Sequence, residues 1–229
     1  MIEVAGQRLP LAIRRLGHAK RLTLRLAPDG SEVRVSMPRW GRLEEALAFA
    51  RSRSDWLERQ LAAVPVRTEP LRHGSMLPYR GDIVRIEHNE AAPRRPCLTQ
   101  GVIALGGPAE SVSSRLRRWL ETEARRLLAE DLAHYCATAG RDVPKLALSG
   151  AQRRWGSCSS KGMVRINWRL VMAPDYVRRS VVAHEVAHMV HFDHSPRFHA
   201  LLGEIFEGDI AAANRWLKHE GRGLYLPFG

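Results

Sequence analysis

Residues 178–190 read Arg178-Arg179-Ser180-Val181-Val182-Ala183-His184-Glu185-Val186-Ala187-His188-Met189-Val190. From Val181 onward only His184, Glu185 and His188 interrupt the apolar run. A helix that is apolar on every side is a buried helix. Two histidines at i and i+4 lie one above the other on such a helix. Their imidazoles can therefore share one metal ion, and neutral imidazole suits Zn²⁺. Glu185, beside the first histidine, can reach the open metal position and take a proton from water held there. Two histidines and a glutamate buried without a metal would carry an uncompensated desolvation cost. The competing reading is a pair of hydrogen-bonded core histidines.

A hydrolytic zinc site needs a third protein ligand and one open position. His194 follows six residues after His188, just before an expected N-cap at Ser195 and Pro196 at the first helical position. Glu204, Glu207, His191 and His199 are the other candidates. The spacing of His184, His188 and His194 equals that of metzincins. His191 stands where metzincins have Gly, and no Met follows Met189 to build their turn, so that reading is rejected.

Outward from this helix the pattern is α+β. Arg21 to Leu26 and Val33 to Val35 alternate polar and apolar residues around Pro28-Asp29-Gly30, a hairpin signal. Residues 42–63 carry helical spacing, and the prolines within Val64 to Pro70 end it. Short strands are expected at Ile83 to Ile86 and at Val102 to Leu105, with an exposed loop over Ala91 to Pro96. Ser111 to Ala139 reads as one long helix stopped by Gly140. Strands are expected at Lys145 to Gln152 and Met163 to Leu170, with Gly156 to Gly162 as a turn between them. Pro174 and Asp175 open the histidine helix, which is expected to run to about His191. The expected division is a β-rich N-terminal part with one helix, residues 1–110, and a catalytic part, residues 111–229.

The chain has 229 residues, 45% apolar and 26% charged, ordinary for a globular protein with its own core. No apolar run approaches the length of a membrane span, so no membrane partner is expected. No signal-peptide pattern opens the chain. Three widely spaced cysteines, Cys97, Cys136 and Cys158, read as reduced thiols, and a cytoplasmic location is expected. The net charge is +12, and only four of the 36 basic residues are lysine. The excess is spread over both parts with no basic tail. It makes nucleic acid a candidate partner, against the plainer reading of a solvated arginine surface.

Several linked motifs then carry a resemblance. They are Arg154-Trp155-Gly156-Ser157-Cys158-Ser159, Asn167-Trp168-Arg169-Leu170, Tyr176-Val177, His184-Glu185-x-x-His188 and His194-Ser195-x-x-Phe198. In this order they resemble the YgjP family of predicted metal-dependent hydrolases, related to SprT-like zinc peptidases. The resemblance is strong over residues 111–220 and looser before them. It implies a zincin-like catalytic part with an antiparallel sheet, His184, His188 and His194 as metal ligands, and Glu185 as the catalytic residue. His199 departs from the family's usual Trp, and Gly208-Asp209 from a Pro-containing turn. The Arg154–Leu170 segment resembles the strands that flank the active-site helix of zinc peptidases, where an edge strand binds extended peptide. Trp155, Arg154 and Asn167 are the candidate substrate-binding residues, against core roles for the tryptophans. A nucleophilic role for Cys158 lacks an activating base.

The leading expectation is zinc-dependent peptide hydrolysis with a protein or peptide substrate. Nucleoside triphosphate pyrophosphohydrolase activity, also attached to the family, is the alternative, with arginines such as Arg153, Arg154 and Arg165 suited to phosphate oxygens. Phosphate chemistry more often uses carboxylate-held metals, and no carboxylate cluster accompanies the histidines. A third alternative is a DNA-associated basic binding protein or protease, although no helix-turn-helix or zinc finger is present.

Overall fold

A computed structural model describes residues 1–27, 30–62, 69–160 and 162–228. The chain forms two compact units, Met1–Arg67 and Thr68–Phe228. The architecture is mixed α+β, with several small sheets.

The first unit starts with a two-stranded ribbon, β1 (Ile2–Val4) and β2 (Gln7–Leu9), turned at Ala5-Gly6. β3 (Leu11–Leu16), β4 (Thr23–Leu26) and β5 (Val33–Pro38) form a sheet in the order β3-β5-β4. β4 and β5 pair antiparallel, Thr23 opposite Ser36 and Leu26 opposite Val33. Of the expected turn, Pro28 and Asp29 lie outside the described residues. Val33, Val35 and Met37 alternate along β5 and point one way, onto Ala46, Ala50 and Leu57. The last three belong to two helices, α1 (Leu43–Arg51) and α2 (Ser54–Ala62), where one was expected over 42–63. The break has a local cause. The Ser52 hydroxyl donates to the Phe49 carbonyl, and Arg53 N–H closes a tighter turn onto Ala50. Most of the expected break at Val64 to Pro70 lies outside the described residues.

The second unit opens with β6 (Met76–Tyr79), β7 (Asp82–His88), β8 (Cys97–Thr99) and β9 (Val102–Leu105), in sheet order β6-β7-β9-β8. The 27-residue helix α3 (Val112–Thr138) follows and ends at Gly140, whose φ of 61° suits glycine. β10 (Lys145–Ser149), β11 (Gly156–Ser159) and β12 (Met163–Asn167) form a second sheet, with β12 central and β11 on an edge. The antiparallel sheet expected here is mixed: β11 pairs antiparallel with β12, but β10, which enters from α3, pairs with it in parallel. Residues 156–159, expected as part of a turn, are thus a strand. β12 supplies the pairing that Gly-Ser-Cys-Ser alone would not hold, with Gly156 opposite Ile166 and Ser159 opposite Met163. A 3₁₀ segment at Trp168–Met172 leads to α4 (Asp175–His188), then α5 (Pro196–Ile205), α6 (Ile210–His219) and a final 3₁₀ segment at Gly221–Phe228.

The compact units divide at residues 67/68, whereas the sequence reading sets its boundary near residue 110. Leu77, Ile86, Ile103 and Leu105 of the first sheet share one apolar core with Leu116, Leu120 and Leu128 of α3 and with Val182 and Val186 of α4. That sheet therefore belongs with the helices that follow it.

Two features fix α4. The β6–β7 turn lies against its start: Arg80 and Gly81 N–H donate to the Val171 and Met172 carbonyls. Gly81, at φ 90°, packs where a side chain would meet Pro174. Further along, Arg178 is 2% exposed and donates to Asp131 of α3 at 2.7 Å and to Asp175 at 2.5 Å. Arg80 reaches the same Asp175 carboxylate. No helix among the described residues is long and apolar enough to cross a membrane.

Candidate metal centre

α4 carries His184 and Glu185 in its last turn and ends on His188. The chain then turns back through residues 189–195, and His194 arrives opposite His184. One ligating atom from each of His184, His188 and His194 lies within 4.8 Å of the other two. His194 Nε2 stands 3.3 Å from His184 Nε2. Two ring nitrogens that close, both in acceptor form, repel each other unless a proton or cation lies between them. Phe198 of α5 backs all three rings, with centroids 5.0, 4.5 and 4.9 Å from those of His184, His188 and His194.

Hydrogen bonding at His188 and burial at His184 suit these two rings to ligation. His188 Nδ1 lies 2.9 Å from the His191 carbonyl. A carbonyl only accepts, so Nδ1 is the donor, and Nε2 is the ring nitrogen left for a metal. Burial, reinforced by the charges of His188, His194 and His199, pushes His184 down to about 4. A neutral imidazole is the form that binds metal.

Glu185 is 4% exposed. Burial pushes its carboxyl up to about 7, against the opposing charge of Arg154 and a hydrogen bond from the Cys158 backbone N–H. Its Oε2 has no hydrogen-bond partner among the described residues. The buried polar atom without a partner and three convergent imidazole nitrogens fit a divalent metal ion. A methyl group on Gly156 of β11 would lie 2.3 Å from Glu185 Oε1, so the absence of a side chain there makes room for the carboxylate.

A cavity of about 220 Å³ opens beside His184 and Glu185. Trp155, Val181, Leu202, Ile210 and Leu217 wall it, with Ser180 and Asn214 as polar contributors. Trp155 is propped by Tyr225, whose ring centre lies 5.7 Å away. Arg154 is exposed. Asn167 is placed differently from its expected substrate-binding role. It is fully buried, Nδ2 donates to the Ala151 carbonyl and Tyr225 hydroxyl, and Oδ1 accepts from Arg169 N–H. With its amide committed on both sides, Asn167 holds the loop beneath Trp155.

The other candidate ligands stand outside the three-histidine cluster. Glu207 accepts from the Tyr135 hydroxyl and pairs with Arg179. His191 contributes its carbonyl to His188, while His199 and Glu204 are exposed. Cys158 is pushed upward by burial and by the Glu185 charge, which keeps it a thiol. Tyr225 and Asn214 had no motif to announce them. Asp209 had one: its carboxylate accepts from Ala212 N–H and caps α6, which carries Asn214 and Leu217 to the cavity.

The family model for the YgjP-like metallopeptidase domain matches residues 20–220. The chain belongs to this family. Membership of the YgjP-like family points to a metal-dependent hydrolase, and the three-histidine cluster lies inside the matched residues. No curated protein matches the chain, and no solved structure does.

Proposed function

We propose that this YgjP-like protein is a zinc-dependent peptidase, with His184, His188 and His194 as the metal ligands and Glu185 as the catalytic base. The observation that carries the reading is the juxtaposition of three convergent imidazoles, the unpartnered Oε2 of Glu185 and an apolar cavity against both. When bound, zinc would supply Lewis-acid polarisation of the scissile carbonyl and a lowered water pKa. Glu185 Oε2 accepts the proton of the attacking water and returns it to the leaving amine nitrogen. The cavity takes one apolar side chain of the substrate, and Trp155 walls it. β11, an edge strand whose Gly156 lies over Glu185, presents backbone for an extended peptide to pair with.

The cavity's lining supports the peptidase reading over the nucleotide one. Among the described residues no arginine lines it, and of the nearby cations only Arg154 acts on Glu185, whereas a triphosphate needs several cationic donors close by. Elemental analysis of the wild type and the His194→Ala variant tests the metal. One zinc per wild-type chain, weakened in the variant, is expected. Glu185→Gln should keep the metal and lower cleavage of an unfolded protein by about 10²–10⁴-fold. Glu185-dependent turnover of a nucleoside triphosphate, with unfolded protein left intact, would overturn the peptidase reading.

A further inference from the structure

Away from the histidines, α3 and the 91–96 loop enclose a groove of about 510 Å³. Arg94, Arg95 and Pro96 form one wall, and Arg115, Arg118, Trp119 and Thr122 the other. None of these residues lines the cavity beside Glu185. Elsewhere on α3, two arginines are neutralised locally. Arg117 pairs with Glu121, and Arg126 with Glu123 and Glu130. The acidic residue at the groove's end, Glu123, is therefore already taken, and it also accepts from the Tyr79 hydroxyl. Arg94, Arg95 and Arg118 are exposed and have no carboxylate partner among the described residues. Arg115 is half-buried and anchored, donating to the Gly106 carbonyl at 2.5 Å. Trp119 is half-buried and lies 5.1 Å, centre to centre, from Tyr79. That packing fixes the indole as a platform rather than a loose side chain.

We infer that this groove binds single-stranded nucleic acid, with Arg94, Arg95 and Arg118 on successive phosphates and one base stacked on Trp119. Guanidinium groups grip phosphate oxygens in pairs. An aromatic face among cations accepts a base of any sequence. An acidic peptide would satisfy the arginines but leave the indole without a partner of its own kind. A duplex would keep its base faces stacked internally, out of reach of a recessed ring. Arg125 lies seven positions after Arg118 on the same helix face and extends the track by about 10 Å, beyond one nucleotide. The inference is independent of the peptidase reading.

Fluorescence anisotropy of the full chain with a labelled 15-residue oligothymidylate tests it. Binding should weaken as salt rises. Replacing Arg94, Arg95 and Arg118 together by Gln should weaken it at least tenfold and reduce the log–log salt slope by about 2, at roughly 0.7 for each phosphate no longer neutralised. Trp119→Leu should weaken it by about tenfold and leave most of the slope, since stacking carries no charge. A control triple at the exposed Arg8, Arg51 and Arg59 should change affinity less than about threefold. Equal losses in both triples would mean binding by net charge, and the inference would fail. It would also fail if a duplex of the same length, or polyglutamate, bound as tightly, or if a mononucleotide displaced the strand at equal concentration.

Discussion

An alanine methyl at position 156 would sit 2.3 Å from Oε1 and 2.7 Å from Cγ and Cδ of Glu185. The backbone there has no left-handed φ, so alanine brings no conformational strain of its own. The carboxylate must move instead. Gly156→Ala should therefore leave the melting temperature within a few degrees, retain the metal, and lower peptide cleavage by about 10²-fold, as small misplacements of reacting groups do. Cleavage at the wild-type rate would show that Glu185 does not work from its observed position. Trp155→Ala empties one wall of the cavity. It should raise KM for substrates with an apolar residue beside the scissile bond more than it lowers kcat, and a kinetic comparison across such peptides checks this. These residues differ in how far their chemistry could be read in advance. His184 and His188 announce themselves because helical spacing places them on one face, and Glu185 because it follows the first of them. Asn167 does not, because whether an amide faces a substrate or a carbonyl depends on what the distant Ala151 and Tyr225 do.

Helices α3 and α4 are joined by a buried ion pair, Arg178 with Asp131, and Asp175 and Arg80 extend it to the surface. Removing the cation from such a pair leaves buried carboxylate charge without its best partner. Arg178→Met should cost about 3 kcal/mol or more in urea unfolding, with Arg179 recovering part of the loss at Asp131. Burial raises the Asp175 carboxyl, but its hydrogen bonds and charges with Arg80 and Arg178 outweigh that and leave it below the usual range. A depressed folded-state pKa adds stability that is present above the ordinary carboxylate value and fades as pH falls through the folded one. Asp175→Asn should therefore destabilise the protein at pH 7 and matter progressively less below about pH 4, which paired melts at the two pH values will read. Sequence pattern foretold α3 and α5 well, since each has an apolar stripe and a stop or start residue. It missed β11, four small residues whose extended form comes from β12, and the break between α1 and α2, which turns on one serine hydroxyl.

Each unit of the chain has its own apolar core, and the two cores share no residue. Expressed alone, residues 68–228 should fold cooperatively and bind one zinc; a fragment without cooperative melting would show that it depends on residues 1–67. The position of that division was hidden because short strands look alike whichever sheet they join. Only the packing of Leu77, Ile86 and Ile103 against α3 assigns residues 71–110 to the second unit. The return of the chain from His184 to His194 has a last consequence. The two rings are ten residues apart and already face each other, so an ion held between them fastens a short ring of chain, a reversible stitch. At a hundredfold excess over its dissociation constant such an ion adds about 2.7 kcal/mol to the folded state. Chelation should then release protection in amide hydrogen exchange across residues 189–195 first, while α3 stays closed, so that metal supply sets the lifetime of the loop as well as its chemistry.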